Sequence, residues 1–475
     1  MSSSLSDQKV RVRFAPSPTG NLHIGGLRTA LFNWLFARHL QGTFLVRIED
    51  TDLERSTPEF FDSILGALDW VSITSDEPLV IQSHALEHHK KLIKKLLDEG
   101  KAYRCYCPVS TDVESMDYFR YSSLCRMKEP VETDQPFVVR IKLPSDQQRI
   151  EFQDLIYGPI SFPLDQFDDF IIARSDGTPV YNFVVVADDA AMKITHVIRG
   201  EEHLQNSPKQ IILYQALGFS IPYFAHLPLI LGPSGSKLSK RDGATSVLDY
   251  KKNGYLARAL CNYLVRLGWS HGDQELFTID ELIANFTLEA VNKKGSIFDH
   301  KKLDWMNGLY IRQASSQELI DSIQKDNDHN FCAHFVQWSH EQLVGFIALY
   351  KDRSTTLVEL RDKLYALHDG CNELSISDRE QWVNEDSLTY LKNFVDCVKT
   401  SEDYSLEFLK NSCKALCNDA GIKFVALAQP LRLALTATTA SPGVFELMEL
   451  LGKKESLQRV ERFIAEMARY IPKKG

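Results

Sequence analysis

Between Phe14 and Leu27 the sequence changes period, and that change constrains the fold more than any other feature. Lys9 to Phe14 alternates polar with apolar residues (Val10, Val12, Phe14), as a half-buried strand does. After the loop Pro16-Ser17-Pro18-Thr19-Gly20 the apolar residues recur at Leu27, Ala30, Leu31, Trp34 and Leu35, the spacing of a helix. Thr43 to Ile48 reads as a second apolar strand. Ser56-Thr57-Pro58-Glu59 then offers a capping box with proline in the first turn, opening a helix through Ile64, Leu65 and Leu68. Strand and helix in alternation predict a parallel α/β sheet.

The alternation is interrupted between about residues 86 and 185. That stretch holds clustered cysteines, a strand at Phe137 to Lys142 and a hairpin around Ser175-Asp176-Gly177, the texture of an α+β insertion. The α/β pattern resumes with a strand at Thr195 to Arg199, a helix opened by Ser207-Pro208-Lys209-Gln210, and a strand at Leu227 to Leu231 running into a Gly-Ser loop. From Tyr250 onward strand signals nearly vanish, and Leu256, Leu260, Tyr263, Leu264 and Leu267 repeat at helical spacing. A chain of 475 residues exceeds one core, and at roughly 100–200 residues per domain about three domains are expected.

Composition, at 44% hydrophobic and 25% charged, is that of a globular protein, with no apolar run near the roughly 18 residues a membrane span needs. The opening Met1-Ser2-Ser3-Ser4-Leu5-Ser6-Asp7-Gln8 has no basic end followed by an apolar stretch, so a cytoplasmic protein is expected. Nine scattered cysteines do not resemble a disulfide framework. The net charge of -9 argues against a nucleic-acid partner only mildly, because a local basic stripe can bind RNA on an acidic protein. Lys251-Lys252, Lys293-Lys294 and Lys301-Lys302 are candidate stripes, each also readable as solvated surface.

A strand ending in a glycine-rich turn before a helix presents free N–H groups and the positive end of the helix dipole to a phosphate. Residues 14 to 26 have that layout: His23 can donate to a phosphate oxygen, and Gly25 and Gly26 admit a nucleotide close to the backbone. By itself His23-Ile24-Gly25 also fits an ordinary helix start. Lys237-Leu238-Ser239-Lys240-Arg241 lies in a glycine and serine loop after a strand, where mobile ammonium groups can neutralise a leaving pyrophosphate; alone it also fits a solvated basic run. What raises both is their order on either side of an interrupted sheet.

The full motifs are Arg13-Phe14-Ala15-Pro16-Ser17-Pro18-Thr19-Gly20-Asn21-Leu22-His23-Ile24-Gly25-Gly26, Arg47-Ile48-Glu49-Asp50-Thr51-Asp52, Val197-Ile198-Arg199-Gly200-Glu201-Glu202-His203 and the lysine loop. In this order they resemble the signatures of class I glutamyl- and glutaminyl-tRNA synthetases. Gly26 stands where that family's first signature usually has a second histidine, as in its glutamyl branch. The resemblance implies a Rossmann-type catalytic domain in two halves, 1–85 and 186–236, split by an acceptor-binding insertion at 86–185. A stem-contact domain with the lysine loop (237–318) and a helical anticodon-binding region (319–475) would follow. It further implies that Ser17, His23, Gly25, Gly26 and Lys240 hold ATP, that His23, Lys237 and Lys240 are catalytic, and that magnesium arrives with the nucleotide.

Glutamate carries two carboxylates and one ammonium, so a selective pocket needs buried cations and an anion, and arginine's planar fork suits a carboxylate. By resemblance Arg13 and Arg199 face the side-chain carboxylate with help from Tyr181, while Ala15, Ser17 and Glu49 line the rest of the glutamate site and Glu49 and Ser17 face the amino group. Any of the arginines also fits a structural ion pair. Asp50, Asp52, Asp188 and Asp189 are expected to be loop and turn acids rather than metal ligands. Cys105, Cys107, Tyr121 and Cys125 are similar to the zinc pattern of some glutamyl-tRNA synthetases. They depart from it in the one-residue gap of the first pair, the tyrosine, and Met127 where some relatives have histidine; zinc and three thiols without metal are both open readings.

The helical second half separates this chain from relatives that end in β-barrels. Lys302-Leu303-Asp304-Trp305-Met306-Asn307-Gly308, Ala428-Gln429-Pro430-Leu431-Arg432 and Ser441-Pro442-Gly443-Val444-Phe445 look like the stem-contact and anticodon-binding parts of bacterial-type glutamyl-tRNA synthetases. The resemblance implies a monomer that joins L-glutamate to glutamate tRNA, with Arg353, Arg432, Pro442 and Val444 at the anticodon. Arg353 matches the position where arginine accompanies enzymes that discriminate against glutamine tRNA. The alternatives are a non-discriminating enzyme, a shorter tRNA-modifying relative that transfers activated glutamate to a queuosine base, and an inactive tRNA-binding paralogue.

Overall fold

Strand β1 (Arg11–Phe14) leads through a loop into helix α1 (Ile24–His39), and β2 (Thr43–Ile48) returns beside β1 in parallel, Val12 opposite Phe44. The computed structural model describes residues 9–51, 55–107, 125–127, 135–238, 246–370 and 374–470. Two compact units divide the chain: Met1–Asp249 with Leu260–Asp299, and Tyr250–Ala259 with His300–Gly475.

In the first unit α2 (Pro58–Trp70) follows β2, and β3 (Val80–Ile81) pairs in parallel with β2. β2 is buried along its whole length, as a strand covered on both faces must be. Helix α2 starts one residue later than the capping pattern suggests. Thr57 is its N-cap, accepting from the Phe60 N–H at 3.4 Å, which leaves Pro58 in the first turn where its missing N–H costs nothing.

The interruption begins with α3 (Leu86–Asp98) and continues through β4 (Ala102–Cys105), β5 (Val138–Ile141), β6 (Arg149–Asp154), β7 (Gly158–Pro163) and β8 (Ile171–Ala173). β4, β5 and β8 form an antiparallel sheet in that order, and β8 turns back at Gly177, whose N–H donates to the Arg174 carbonyl at 3.0 Å. Helix α4 (Tyr181–Ala191), β9 (His196–Gly200), α5 (Ser207–Leu217), β10 (Tyr223–Leu227) and β11 (Ile230–Leu231) then resume the α/β alternation. The expected strand at Leu227 to Leu231 is broken, because Pro228 has no N–H for a ladder.

β9, β10 and β6 lie side by side in parallel, with β7 antiparallel at the edge. β6 therefore leaves the insertion to join the resumed sheet. The two halves meet at Thr195: its N–H donates to the Arg11 carbonyl at 2.9 Å, and its hydroxyl accepts the Arg11 N–H at 2.8 Å. One apolar core, including Leu45, Ile93, Val139, Ile172, Phe183 and Phe224, runs through sheet and insertion alike. Helices α6 (Val247–Lys252), α7 (Ala257–Arg266) and α8 (Ile279–Asn285) come next, and β12 (Ser296–Ile297) pairs in parallel with β11.

Among the described residues after β12 the chain is helical: α9 (His300–Gln313), α10 (Ser316–Asp326), α11 (Phe331–His334), α12 (His340–Tyr350), α13 (Leu357–Asp369), α14 (Ile376–Trp382), α15 (Glu385–Thr400), α16 (Leu406–Asp419), α17 (Val425–Thr436), α18 (Val444–Leu451) and α19 (Lys453–Met467). Ser315 and Ser339 build full capping boxes with Glu318 and Gln342. Gly254, at φ 81°, lets the chain pass Val358, whose backbone N would lie 2.5 Å from an added Cβ. Among the described residues no helix is long and apolar enough to cross a membrane.

Candidate active site

A cleft of about 930 Å³ opens beyond the ends of β1 and β9, and it gathers residues the sequence places far apart. Arg13, Ala15, Ser17, His23, Gly25, Gly26, Glu49, Tyr181, Arg199 and Lys237 all line it. The outer ends of parallel strands are where α/β sheets bind ligands.

One wall is the start of α1. His23 is the N-cap, and its Nδ1 accepts the Gly26 N–H at 3.2 Å. The first turn carries no acidic residue, so its positive end is not offset from within the helix. Loss of solvent in the cleft, then the charge of Lys237, hold the His23 pKa below its ordinary value against the opposing pull of Glu202. A neutral ring that accepts at Nδ1 carries its proton on Nε2, free to donate. A Cβ on Gly26 would lie 2.7 Å from Leu22 Cδ1, so a larger residue here would have to displace the end of that side chain. Lys237 bridges back to Leu231 with its side chain exposed. Ser239, Lys240 and Arg241 lie outside the described residues.

The opposite wall holds the arginines. Arg13 and Arg47 share one oxygen of Asp189, at 3.0 and 2.6 Å, and Arg47 also donates to Glu49 at 3.0 Å. Burial opposes charge on this fully enclosed Arg47, yet Asp189, Glu49 and Asp188 hold its pKa above the ordinary value. Asp189 is kept acidic because Arg13 and Arg47 outweigh its desolvation. Burial raises the Glu49 pKa despite Arg47.

Asp188 and Asp189 are thus not loop acids. They sit in α4, and Asp188 is held by His89 at 2.6 Å and Gln82 at 2.7 Å. The continuous apolar run Phe183-Val184-Val185-Val186-Ala187 before them has no period from which two inward-facing acids could be read. Asp50 does behave as a loop acid, accepting from the Ser83 N–H at 2.9 Å, and Asp52 lies outside the described residues.

Arg199 differs from Arg13. It is buried, its Nε donates to His226 Nε2 at 3.2 Å and its Nη2 to Ser207 Oγ at 2.8 Å, and among the described residues no carboxylate pairs with it. Burial pushes its pKa down to about 10, so it stays charged at neutral pH. Tyr181, at the start of α4, is half-exposed to the cleft and sits 3.3 Å from His203 Nδ1. His226 in turn meets Asp154 at 2.6 Å, both fully buried. Nothing in the sequence links two residues 72 positions apart, and this pair is legible only in the fold.

Cys105, Cys107 and Cys125 bring their sulfurs within 4.8 Å of one another, Cys107 and Cys125 at 3.5 Å. Zinc–sulfur bonds of about 2.3 Å in a tetrahedron place sulfurs roughly 3.8 Å apart, so this donor set fits zinc with little movement. Met127 is exposed, and Tyr121 lies outside the described residues.

In the second unit Arg432 donates to Gln429 at 2.9 Å and to the carbonyls of Ser441 and Pro442 at 2.8 and 2.5 Å, pinning the turn before Val444 and α18. Desolvation, then the nearby charge of Arg353, lowers the Arg432 pKa. Arg353 is exposed at the end of the turn after α12.

Comparison with known proteins gives a consistent picture. Residues 9–305 match the family model described as tRNA synthetases class I (E and Q), catalytic domain, and residues 330–464 match an anticodon binding domain. The chain is 43% identical over 465 residues to a glutamate–tRNA ligase of Thermodesulfovibrio yellowstonii, covering 96% of this chain and 99% of that one. A glutamate–tRNA ligase of Pelobacter propionicus is 42% identical over 468 residues, with 95% and 98% covered. A crystal structure of a glutamate tRNA ligase from Elizabethkingia meningosepticum in complex with its amino acid superposes with a TM-score of 0.86 at 31% identity, covering 97% of this chain and 100% of that one.

Proposed function

Since this chain belongs to the class I tRNA synthetases for glutamate and glutamine and is a glutamate–tRNA ligase, we propose that it is the discriminating type, charging glutamate tRNA and not glutamine tRNA. The assignment of glutamate to this cleft is supported above all by Arg199, a buried cation with no carboxylate in direct contact among the described residues, Asp189 acting on it only from a distance. A ligand carboxylate there would gain a charge-assisted bond without displacing a protein anion. The discriminating reading is supported by Arg353 beside Arg432, two cations near the turn that leads into α18.

ATP lies with its phosphates at the start of α1, the His23 Nε2–H and the free amides near Gly25 donating to them, and Ser17 nearby. Magnesium comes with the nucleotide. Glu49 faces the glutamate ammonium, and Ala15 packs against the glutamate. With Arg199, Arg13 and Tyr181 holding the side-chain carboxylate, the α-carboxylate oxygen attacks the α-phosphorus and pyrophosphate leaves. Lys237 and Lys240 offset the charge on the departing phosphates. A ribose hydroxyl of the tRNA end then attacks the adenylate carbonyl and AMP leaves. No protein nucleophile is required; the residues position and stabilise charge.

The insertion at 86–185 receives the acceptor end, 237–318 contacts the stem, and 319–475 reads the anticodon through Arg353, Arg432, Pro442 and Val444. Cys105, Cys107 and Cys125, with Tyr121 as the fourth ligand, would hold zinc as a structural ion. We place the protein in the cytoplasm as a monomer. Glutamylation of purified glutamate and glutamine tRNAs, with pyrophosphate exchange measured with and without tRNA, tests the proposal. Equal charging of both tRNAs would reverse the discriminating assignment.

A further inference from the structure

Arg199 is held by groups that carry no charge. Its Nε–H donates to His226 Nε2 at 3.2 Å, its Nη2 donates to Ser207 Oγ at 2.8 Å and to the His203 carbonyl at 3.4 Å, and its Cζ lies 5.6 Å from the centre of the Phe224 ring. None of these bonds uses Nη1, and Arg199 lines the cleft.

Behind it, His226 Nδ1 meets Asp154 Oδ2 at 2.6 Å, while the other Asp154 oxygen accepts the N–H groups of Ile156 and Tyr157, each at 2.9 Å. An imidazole that accepts from Arg199 at Nε2 must carry its proton on Nδ1 and donate it to Asp154. The negative charge of Asp154 is thereby kept one imidazole ring away from the guanidinium. Arg13, by contrast, bonds Asp189 directly and has its charge offset by it.

Resting on the reading that Arg199 meets the glutamate side chain, we propose that His226, buttressed by Asp154, is a positioning residue that sets selectivity for an anionic over an amide side chain. It fixes the plane of the guanidinium and occupies the contact an acidic residue would otherwise take. Most of the charge is then left for the ligand, Asp189 acting on it only from a distance, because Coulomb attraction falls with distance and a carboxylate in direct contact would cancel most of it. A purely structural role, tying β6 to β10, would change stability without changing which amino acid is chosen.

The test uses the full-length enzyme with glutamate tRNA, measuring KM and kcat for glutamate, KM for ATP, and the ratio of glutamate to glutamine activation. H226N keeps an N–H for Asp154 but loses the acceptor for Arg199. It should raise KM for glutamate about tenfold, leave KM for ATP within about twofold, and narrow the glutamate preference. H226Q keeps an amide oxygen near Arg199 and should lie closer to wild type.

S207D puts an anion on the guanidinium and, because Ser207 Oγ also lies 3.1 Å from His226 Nε2, beside that ring as well. A carboxylate in direct contact with Arg199 should narrow the preference by about tenfold or more, and this variant decides the matter should H226N not fold. Equal changes in H226N and H226Q, an unaltered glutamate to glutamine ratio, or KM rising alike for glutamate and ATP would overturn the inference. R199A run alongside separates the failures. A raised glutamate KM in R199A with none in H226N overturns only the role of His226, whereas an unchanged KM in R199A overturns the pocket reading as well.

Discussion

The Nδ1 of His23 accepts the backbone N–H of Gly26 at 3.2 Å, so one ring both closes the first turn of α1 and turns its Nε2–H toward the cleft. The two duties separate by substitution. Asparagine caps a helix as well as any residue but has no donor at the Nε2 position, so His23→Asn should melt within a few degrees of wild type while pyrophosphate exchange falls by about 10²-fold. His23→Ala loses the cap too and should cost about 1 kcal/mol more in stability. Thermal melts and exchange rates measured in the presence of tRNA check both halves. Equal exchange rates in His23→Asn and wild type would leave His23 as a cap only.

Arg199 predicts the opposite balance. Burial first, and the nearby charge of Arg13 as well, oppose its charge and lower its pKa to about 10, so Arg199→Ala removes a cation that the fold holds at a cost. Stability should be unchanged or slightly higher, while KM for glutamate rises about 100-fold or more, as expected when a charge-assisted bond to substrate is lost. Arg13 should behave differently. Arg13→Ala leaves Asp189 with Arg47 as its one remaining ion pair among the described residues, and should lower stability as well as glutamate affinity.

Mild acid should weaken the first unit, and His196 gives the sign. Burial pushes its pKa down to about 4, from an ordinary 6.5, with its Nδ1 2.8 Å from the Thr195 hydroxyl and its ring against Phe36 and Tyr223. The unfolded chain takes up a proton as pH falls below 6.5, whereas the folded chain does not until near 4. The stability carried by this neutral ring is therefore complete above 6.5 and lost progressively as pH falls toward 4. His203, also near 4, and His226, lowered by burial first, act in the same direction. Urea unfolding followed between pH 6.5 and 4.5 should show stability declining, and His196→Asn should remove about one proton, roughly 1.4 kcal/mol per pH unit, from that slope. An unchanged slope would show that His196 titrates alike in both states.

The sequence displays β1, α1 and the glycine turn because their periods are local, and the same holds for the capped helices of the second unit. Partnerships across the sheet are not local. Arg47 lies in β2 and Glu49 just past its end, and the joining of their pair to Asp189, 142 positions beyond Arg47, required the fold. The Asp154–His226 pair left no trace for the same reason. β6 was hidden inside an apparent insertion because a strand of six residues looks alike in either sheet, and only its pairing with β10 assigns it. Pro228 alone shows why the strand expected at Leu227 to Leu231 breaks.

The sulfurs of Cys107 and Cys125, 3.5 Å apart with Cys105 alongside, predict one structural ion. Metal analysis of protein purified without chelator should find about one zinc per chain, and Cys125→Ser should lose it. Because thiolates must form for zinc to bind, acidification should protonate them and release the metal. Well under one zinc per chain in the wild type leaves the three thiols as a small packed cluster with Tyr103 and Val138.

Arg353 and Arg432 place two positive charges close together, yet only one is committed to the fold. Arg432 holds Gln429, Ser441 and Pro442, so its loss should loosen the turn before α18 and weaken binding of every tRNA. Arg353 is exposed, no carboxylate pairs with it among the described residues, and its charge is felt by Arg432. Arg353→Gln should therefore leave the fold intact and glutamylation of glutamate tRNA within about threefold. Charging of glutamine tRNA should rise tenfold or more, since one misread base costs about 1–3 kcal/mol. The contrast identifies the role: a general phosphate contact would weaken both tRNAs alike and lessen the salt dependence of binding, whereas a base-reading arginine changes their ratio. Kinetics with the two purified tRNAs at matched ionic strength decide between these outcomes, and a ratio unchanged by Arg353→Gln removes Arg353 from anticodon discrimination.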